Sequence, residues 1–160
     1  MPIVYSLIAR KKTVLAEYTS STGNFPTVTR VLLAKIPETD SRMSYVYDKH
    51  VFHYIVDQGI TFLCMSDEST KRRITFAFLE DIKKCWRERY SSIEQTALAF
   101  SLNDMFSPIL RQKIVSISLS LCLRFIIVIN IHYFFVMFRI TITQTHLRII
   151  LPECKHKSMK

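Results

Sequence analysis

Residues 41–67, SRMSYVYDKHVFHYIVDQGITFLCMSD, decide the fold of this chain. Three runs rich in Val, Ile, Tyr and Phe are separated only by Asp48-Lys49 and Gln58-Gly59, dipeptides of hairpin length. Consecutive hairpins make an antiparallel meander, and a meander needs further strands or helices over its apolar faces. Upstream, IVYSLIAR and KKTVLAEY supply two more strands around a basic turn at Arg10 to Lys12. Alternation places Ile3, Tyr5 and Leu7 on one face and Val4 and Ile8 on the other, so the sheet is expected to be covered on both sides.

The covers are helices. In GNFPTVTRVLLAKIP, Asn24 is an N-cap, Pro26 sits in the first turn where its missing N–H costs nothing, and Pro37 stops the helix. Phe25, Val28, Leu32 and Ile36 form its expected buried stripe, leaving Val31 and Leu33 as an exposed apolar edge. STKRRITFAFLEDIKKCWRERY is a long amphipathic helix with Ile74, Phe78, Leu79, Ile82 and Trp86 at helical spacing. SSIEQTALAFSLNDMFSPILRQK reads as a third helix, with a break expected at Asn103-Asp104 and Pro108. The order β-β-α-β-β-β-α-α specifies an α+β domain over residues 1–113.

Beyond Lys113 the composition changes. Residues 1–113 hold 16 Lys and Arg against 12 Asp and Glu, whereas residues 114–160 hold 6 against 1, with ten Ile and no Ala, Gly, Asp or Trp. The excess charge is therefore concentrated in the C-terminal part, and it argues for no nucleic-acid partner, which needs basic groups gathered on one folded face. The four cysteines, Cys64, Cys85, Cys122 and Cys154, form no CxxC and read as reduced thiols. His50 and His53 lie three apart on one strand and so point to opposite faces, and Cys154 and His156 offer two ligands where a structural zinc needs four. No nucleophile elbow, P-loop or dinucleotide fingerprint occurs, so neither an enzyme nor a cofactor is expected. The basic set Lys71, Arg72, Arg73, Lys83, Lys84, Arg87 and Arg89 is interrupted by Glu80, Asp81 and Glu88, the pattern of a solvated helix face rather than of a lipid-binding one.

MPIVYSLIARKKTVLAEY, GNFPTVTRVLLAKIP, SYVYDKHVFHYI, FLEDIKKCWRERY and QTALAF, in this order over about residues 1–110, resemble the longin domain of the longin R-SNAREs. The resemblance implies a profilin-like fold: a five-stranded antiparallel sheet with one helix on one face and two on the other. It implies a non-enzymatic protein of vesicle traffic, on the cytoplasmic face of vesicle or endosomal membranes, or cytosolic if the tail does not insert, that binds SNARE helices or trafficking adaptors and regulators. The implied binding groove lies between the first helix and the third strand, with Met43 and Tyr45 on the strand and Leu32, Leu33 and Ile36 on the helix. On residue type alone, Met43 and Tyr45 would equally suit burial beneath that helix.

The resemblance stops near Gln112-Lys113, where the family continues into a heptad SNARE helix. Residues 114–138, IVSISLSLCLRFIIVINIHYFFVMF, carry no heptad seam. Their 16 Ile, Leu, Val and Phe favour membrane insertion by roughly 7 kcal/mol, against about 3 kcal/mol for Arg124. The basic tail, 139–160, would then have to cross the bilayer against the positive-inside tendency. A membrane anchor, a divergent terminus and translated non-coding sequence all stand as readings of this region.

Overall fold

The computed structural model describes residues 3–120. Its strands are β1 (Ile3–Arg10), β2 (Thr13–Thr19), β3 (Ser41–Tyr47), β4 (His50–Asp57) and β5 (Ile60–Asp67), with helices α1 (Phe25–Leu33), α2 (Arg72–Tyr90) and α3 (103–120). All five strands join one antiparallel sheet in the order β2-β1-β5-β4-β3, so the two central strands come from opposite ends of the strand sequence. The expected layering is observed. One apolar cluster, with Tyr5, Leu7, Phe52, Tyr54 and Leu63, lies beneath α1, and the other, with Ile8, Phe62, Phe78, Ile82 and Trp86, lies beneath α2 and α3.

Turn chemistry sets the register of the meander. Gln58 and Gly59 both take positive φ, 50° and 77°, as a tight hairpin matched to the twist of its strands requires, and Asp48 does so at 53° in the preceding turn. Two face assignments change. The pairing of β1 with β5 shifts between Ile3 and Tyr5, and this bulge carries Ile3 into the cluster of Ile8 and Val4 into that of Tyr5 and Leu7. A second shift, opposite Ile8 and Ala9, turns both Leu15 and Ala16 of β2 toward α2 and α3.

The third helix also differs from its expectation. Residues 91–102 are turns, and the helix begins at 103 and continues through Pro108. Within this segment Glu94 is drawn into the core. Its Oε2 accepts from the Trp86 indole N–H at 2.9 Å, and its other oxygen pairs with Arg87. The same guanidinium donates to Asp57 Oδ2 at 2.8 Å, while Arg10 donates to the carbonyls of Glu94 and Ala97 at 2.7 and 3.1 Å. Pro108 is tolerated because it lies on the exposed side of α3, where the carbonyl it leaves unbonded faces water.

The buried stripe of α3 is Leu102, Phe106, Leu110 and Ile114, one side chain per turn. Phe106 meets Trp86 edge-on at 4.9 Å and Tyr90 at 5.6 Å. The stripe runs straight across the change in composition at Lys113: Lys113 binds Asp81 of α2 at 2.7 Å, Ile114 is fully buried, and Ile117 packs against the same cluster. The compact unit accordingly extends to Leu119. Among the described residues no helix is long and apolar enough to cross a membrane. The readings made for Cys122, Arg124, Cys154, His156 and the tail 139–160 lie outside the described residues, as does all of the 114–138 stretch beyond Ser120.

His53 is the buried polar group of β4. Its Nδ1 lies 2.7 Å from Ser44 Oγ of β3 and its Nε2 3.2 Å from Ser66 Oγ of β5, with the Phe76 ring edge-on at 5.4 Å. Ser66 Oγ donates to the Asp67 carbonyl, so it accepts from Nε2–H, and the Ser44 hydroxyl donates to Nδ1. Burial, and then the charge of Arg72, push this imidazole down to about 4 from its ordinary 6.5.

Three stability measurements follow from these contacts. Glu94→Ala leaves the Trp86 N–H unpaired and Arg87 with Asp57 as its remaining ionic partner, and is expected to cost about 2–3 kcal/mol in urea unfolding. Ile114→Ala is expected to cost about 2–4 kcal/mol, whereas Leu119→Ala, on the exposed side of α3, stays within about 0.5 kcal/mol. Because the folded His53 resists protonation while the unfolded chain accepts it, stability contributed by its neutral form is complete above about pH 6.5 and is lost as pH falls toward 4. The urea midpoint of His53→Gln should therefore fall less steeply than that of the parent chain between pH 6.5 and 4. An equal slope would assign the acid sensitivity to other groups.

Candidate functional site

Burial is lopsided across the sheet. β1, β4 and β5 are buried almost throughout, whereas β3, at the edge, is exposed along most of its length. Its register with β4 sets Met43 opposite Tyr54 and Tyr45 opposite Phe52, which puts Met43, Tyr45 and Tyr47 on the α1 side of the sheet. Met43 is 49% exposed and Tyr45 39%. Their inner flanks are fixed: the Tyr45 ring stacks on Tyr54 with centroids 6.0 Å apart, and the Tyr54 hydroxyl donates to Met43 Sδ at 3.8 Å. Burial and the neighbouring Tyr45 raise the Tyr54 phenol above its ordinary range, so it remains a donor.

The helix side divides. Leu32 and Ile36 are half-buried against the cluster beneath α1, and Val31 stands exposed, as its place off the stripe implied. Leu33 does not: it is 3% exposed and belongs to the core. The stripe is turned by about one residue because Thr29, polar by type, is buried on it, with its hydroxyl satisfied by the Phe25 carbonyl at 2.6 Å. Thr29 and Leu33, four apart, then point directly at the sheet. The helix also ends at Leu33, ahead of Pro37, and the Lys35 and Ile36 N–H groups both close on the Leu32 carbonyl, at 2.9 and 3.1 Å.

Ionic contacts fix α1 in place. Arg30 reaches both carboxylate oxygens of Glu17 on β2, at 3.2 and 3.3 Å, and the Tyr5 hydroxyl donates to the same carboxylate at 2.5 Å. At the other end Phe25 meets His50 of β4 edge-on at 5.5 Å. These contacts pin α1 on the side of the sheet that Met43, Tyr45 and Tyr47 share. Tyr47 and Tyr54 were not among the expected site residues. Strict alternation from Met43 through Tyr45 reaches Tyr47, but only the strand pairing reveals Tyr54.

The remaining candidates are dispersed. His50 faces the α1 side and His53 is buried on the other. Within the basic set, Arg87 is committed to Asp57 and Glu94, and Lys83 lies 2.8 Å from Glu80. Among the described residues no three His, Cys, Asp or Glu side chains gather as a metal site would require.

Comparison with known proteins agrees with this architecture. The family model of the longin, regulated-SNARE-like domain matches residues 15–110. Vesicle-associated membrane protein 7B of Dictyostelium discoideum is 51% identical over 107 residues, 67% of this chain and 41% of that protein. Vesicle-associated membrane protein 711 of Arabidopsis thaliana is 44% identical over 115 residues, and vesicle-associated membrane protein 7 of Homo sapiens 38% over 114, each match covering 71% of this chain and 52% of the relative. The chain thus spans about half the length of the curated relatives it matches. With its sheet order, its helices on both faces and these matches together, the chain belongs to the longin family, and its domain is that of a longin R-SNARE of the vesicle-associated membrane protein 7 type.

Proposed function

We propose that this chain works in vesicle-mediated transport as a non-enzymatic binding domain on the cytoplasmic face of vesicle or endosomal membranes. Its longin domain takes SNARE helices or trafficking adaptors into the surface between α1 and β3. The observation that carries this reading is the exposure of Met43, Tyr45 and Tyr47 on a sheet face whose other large apolar groups are covered. An apolar strip with a rigid inner flank suits the apolar face of an amphipathic helix, which presents anchors at every third and fourth position. Met43 supplies an adaptable contact and Tyr45 a large, stiff one. Leu32, Ile36 and Val31 offer the helix wall, and Leu33 supports that wall from within.

The test is Tyr45→Ser in the full chain, titrated calorimetrically with a synthetic R-SNARE helix. Loss of a stacked interface aromatic is expected to weaken binding at least tenfold, about 1.4 kcal/mol. The unfolding midpoint should move by only a few degrees, because Tyr45 lies at the edge of the cluster. Equal affinities for the two proteins would reject this surface as the binding site.

A further inference from the structure

The two edges of the sheet are held in different ways. Along β2 the outer edge is occupied: the Phe100 N–H donates to the Val14 carbonyl at 2.9 Å, and the Glu17 N–H donates to Asn103 Oδ1 at 3.0 Å. Among the described residues β3 has β4 as its one strand partner, so its position depends on that ladder and on side chains that reach inward. On the α1 side these are Met43 and Tyr45, which touch Tyr54 and belong to the proposed binding surface itself. On the other side they are Arg42, 4.0 Å from the Phe76 ring centre and 3.9 Å from Glu80, and Ser44.

Of these two, Ser44 is the stronger anchor. Arg42 is exposed, and its long contact with Glu80 is screened by water. Ser44 is half-buried on a strand whose residues are mostly exposed. In an antiparallel ladder every second facing pair exchanges no backbone hydrogen bonds; counted from the two-residue turn that Tyr47 and His50 close, Ser44 and His53 are such a pair. Where the ladder skips, the Ser44 hydroxyl takes over, donating to His53 Nδ1 at 2.7 Å. The imidazole is not free to swing: it is buried, the Phe76 ring meets it edge-on at 5.4 Å, and its Nε2–H donates to Ser66 Oγ of β5 at 3.2 Å. Ser66, itself buried, donates to the Asp67 carbonyl at 3.3 Å. One line of hydrogen bonds thus crosses three strands, from the central strand to the edge, and ends on the residue between Met43 and Tyr45.

We infer that His53 is a positioning residue for the α1–β3 surface: through Ser44 it fixes the backbone from which Met43 and Tyr45 project, and so holds that surface in its binding geometry before a partner arrives. The inference rests on the helix-binding reading of the surface. An edge strand fixed in advance has less freedom to lose on association, and the gain is affinity. Neutral imidazole suits the place because it accepts at Nδ1 and donates at Nε2, joining two hydroxyls that are on different strands.

The test is a double-mutant cycle in the full chain, read by calorimetric titration with a synthetic R-SNARE helix. Ser44→Ala should weaken binding about threefold, with the loss in the entropy. In the free protein it should also speed amide exchange at Met43 and Tyr45 about fivefold, as loss of one ordinary hydrogen bond does. Ser44→Thr keeps the hydroxyl and should bind as the parent chain does. Ser66→Ala, with β4 between it and β3, should weaken binding about twofold. The double variant should bind no more weakly than Ser44→Ala alone, because both serines act through His53. Parental affinity in Ser44→Ala beside a tenfold loss in Tyr45→Ser would overturn the inference and leave the surface reading standing. Strictly additive losses would overturn it as well, since the two serines would then be independent supports of the fold. Parental affinity in Tyr45→Ser would remove the surface reading and this inference with it.

Discussion

Glu94 is the constraint on which the arrangement of this domain turns. A carboxylate enclosed in a core is tolerable only with its charge paired and its oxygens hydrogen-bonded. The partners that achieve this come from three elements: Trp86 and Arg87 on α2, Asp57 at the end of β4 through Arg87, and Arg10 at the end of β1 through the backbone carbonyls of Glu94 and Ala97. Satisfying Glu94 therefore fixes how α2 sits on the sheet. Glu94 lies in the irregular segment 91–102, which delivers Phe100 and Asn103 to the edge of β2.

The segment that holds this buried acid also distinguishes the two sheet edges. β2 is sealed by backbone and amide groups, and its Glu17 side chain is engaged by Tyr5 and Arg30. Arg30 in turn is stacked against Phe100, so the segment ordered by Glu94 also braces α1. At the far side, among the described residues, β3 receives no equivalent support. It is held to β4 by its ladder, by the Ser44 contact with His53 and by Met43 and Tyr45 against Tyr54, and most of its residues are exposed. Rigidity at one edge and availability at the other are properties of a binding domain, since ordering an already fixed strand costs little on association.

The strands were legible because their signal is redundant: β-branched and aromatic content, alternation and two-residue turns all agreed over residues 41–67. What the sequence hid were positions where one residue's chemistry masks its geometry. Thr29 is polar and buried, so a stripe drawn through apolar residues alone missed Leu33 by one position. Ile3 lies beyond a bulge, which alternation cannot register. Glu94 appears as one more surface acid in SSIEQTALAF, and only the three-dimensional convergence of Trp86 and Arg87 distinguishes it. At the candidate site, Met43, Tyr45, Leu32 and Ile36 were named by resemblance, and their relative exposure is a property of the strand order. β3 is third in sequence and outermost in space, and no local pattern encodes that.

The change in composition at Lys113 marks a different kind of boundary from the one the fold obeys. A docked helix is read by its neighbours through roughly one side chain per turn, so the surface beneath α3 senses Leu102, Phe106, Leu110, Ile114 and, in part, Ile117. Val115, Ser116 and Leu119 lie on the other side and are free to vary. Whatever sequence follows Lys113, an apolar residue at 114 and another at 117 are enough to complete the last turns of the core. Charge balance and residue usage describe the whole chain, whereas packing selects only those positions. That is why the compact unit runs on past the point where the composition shifts.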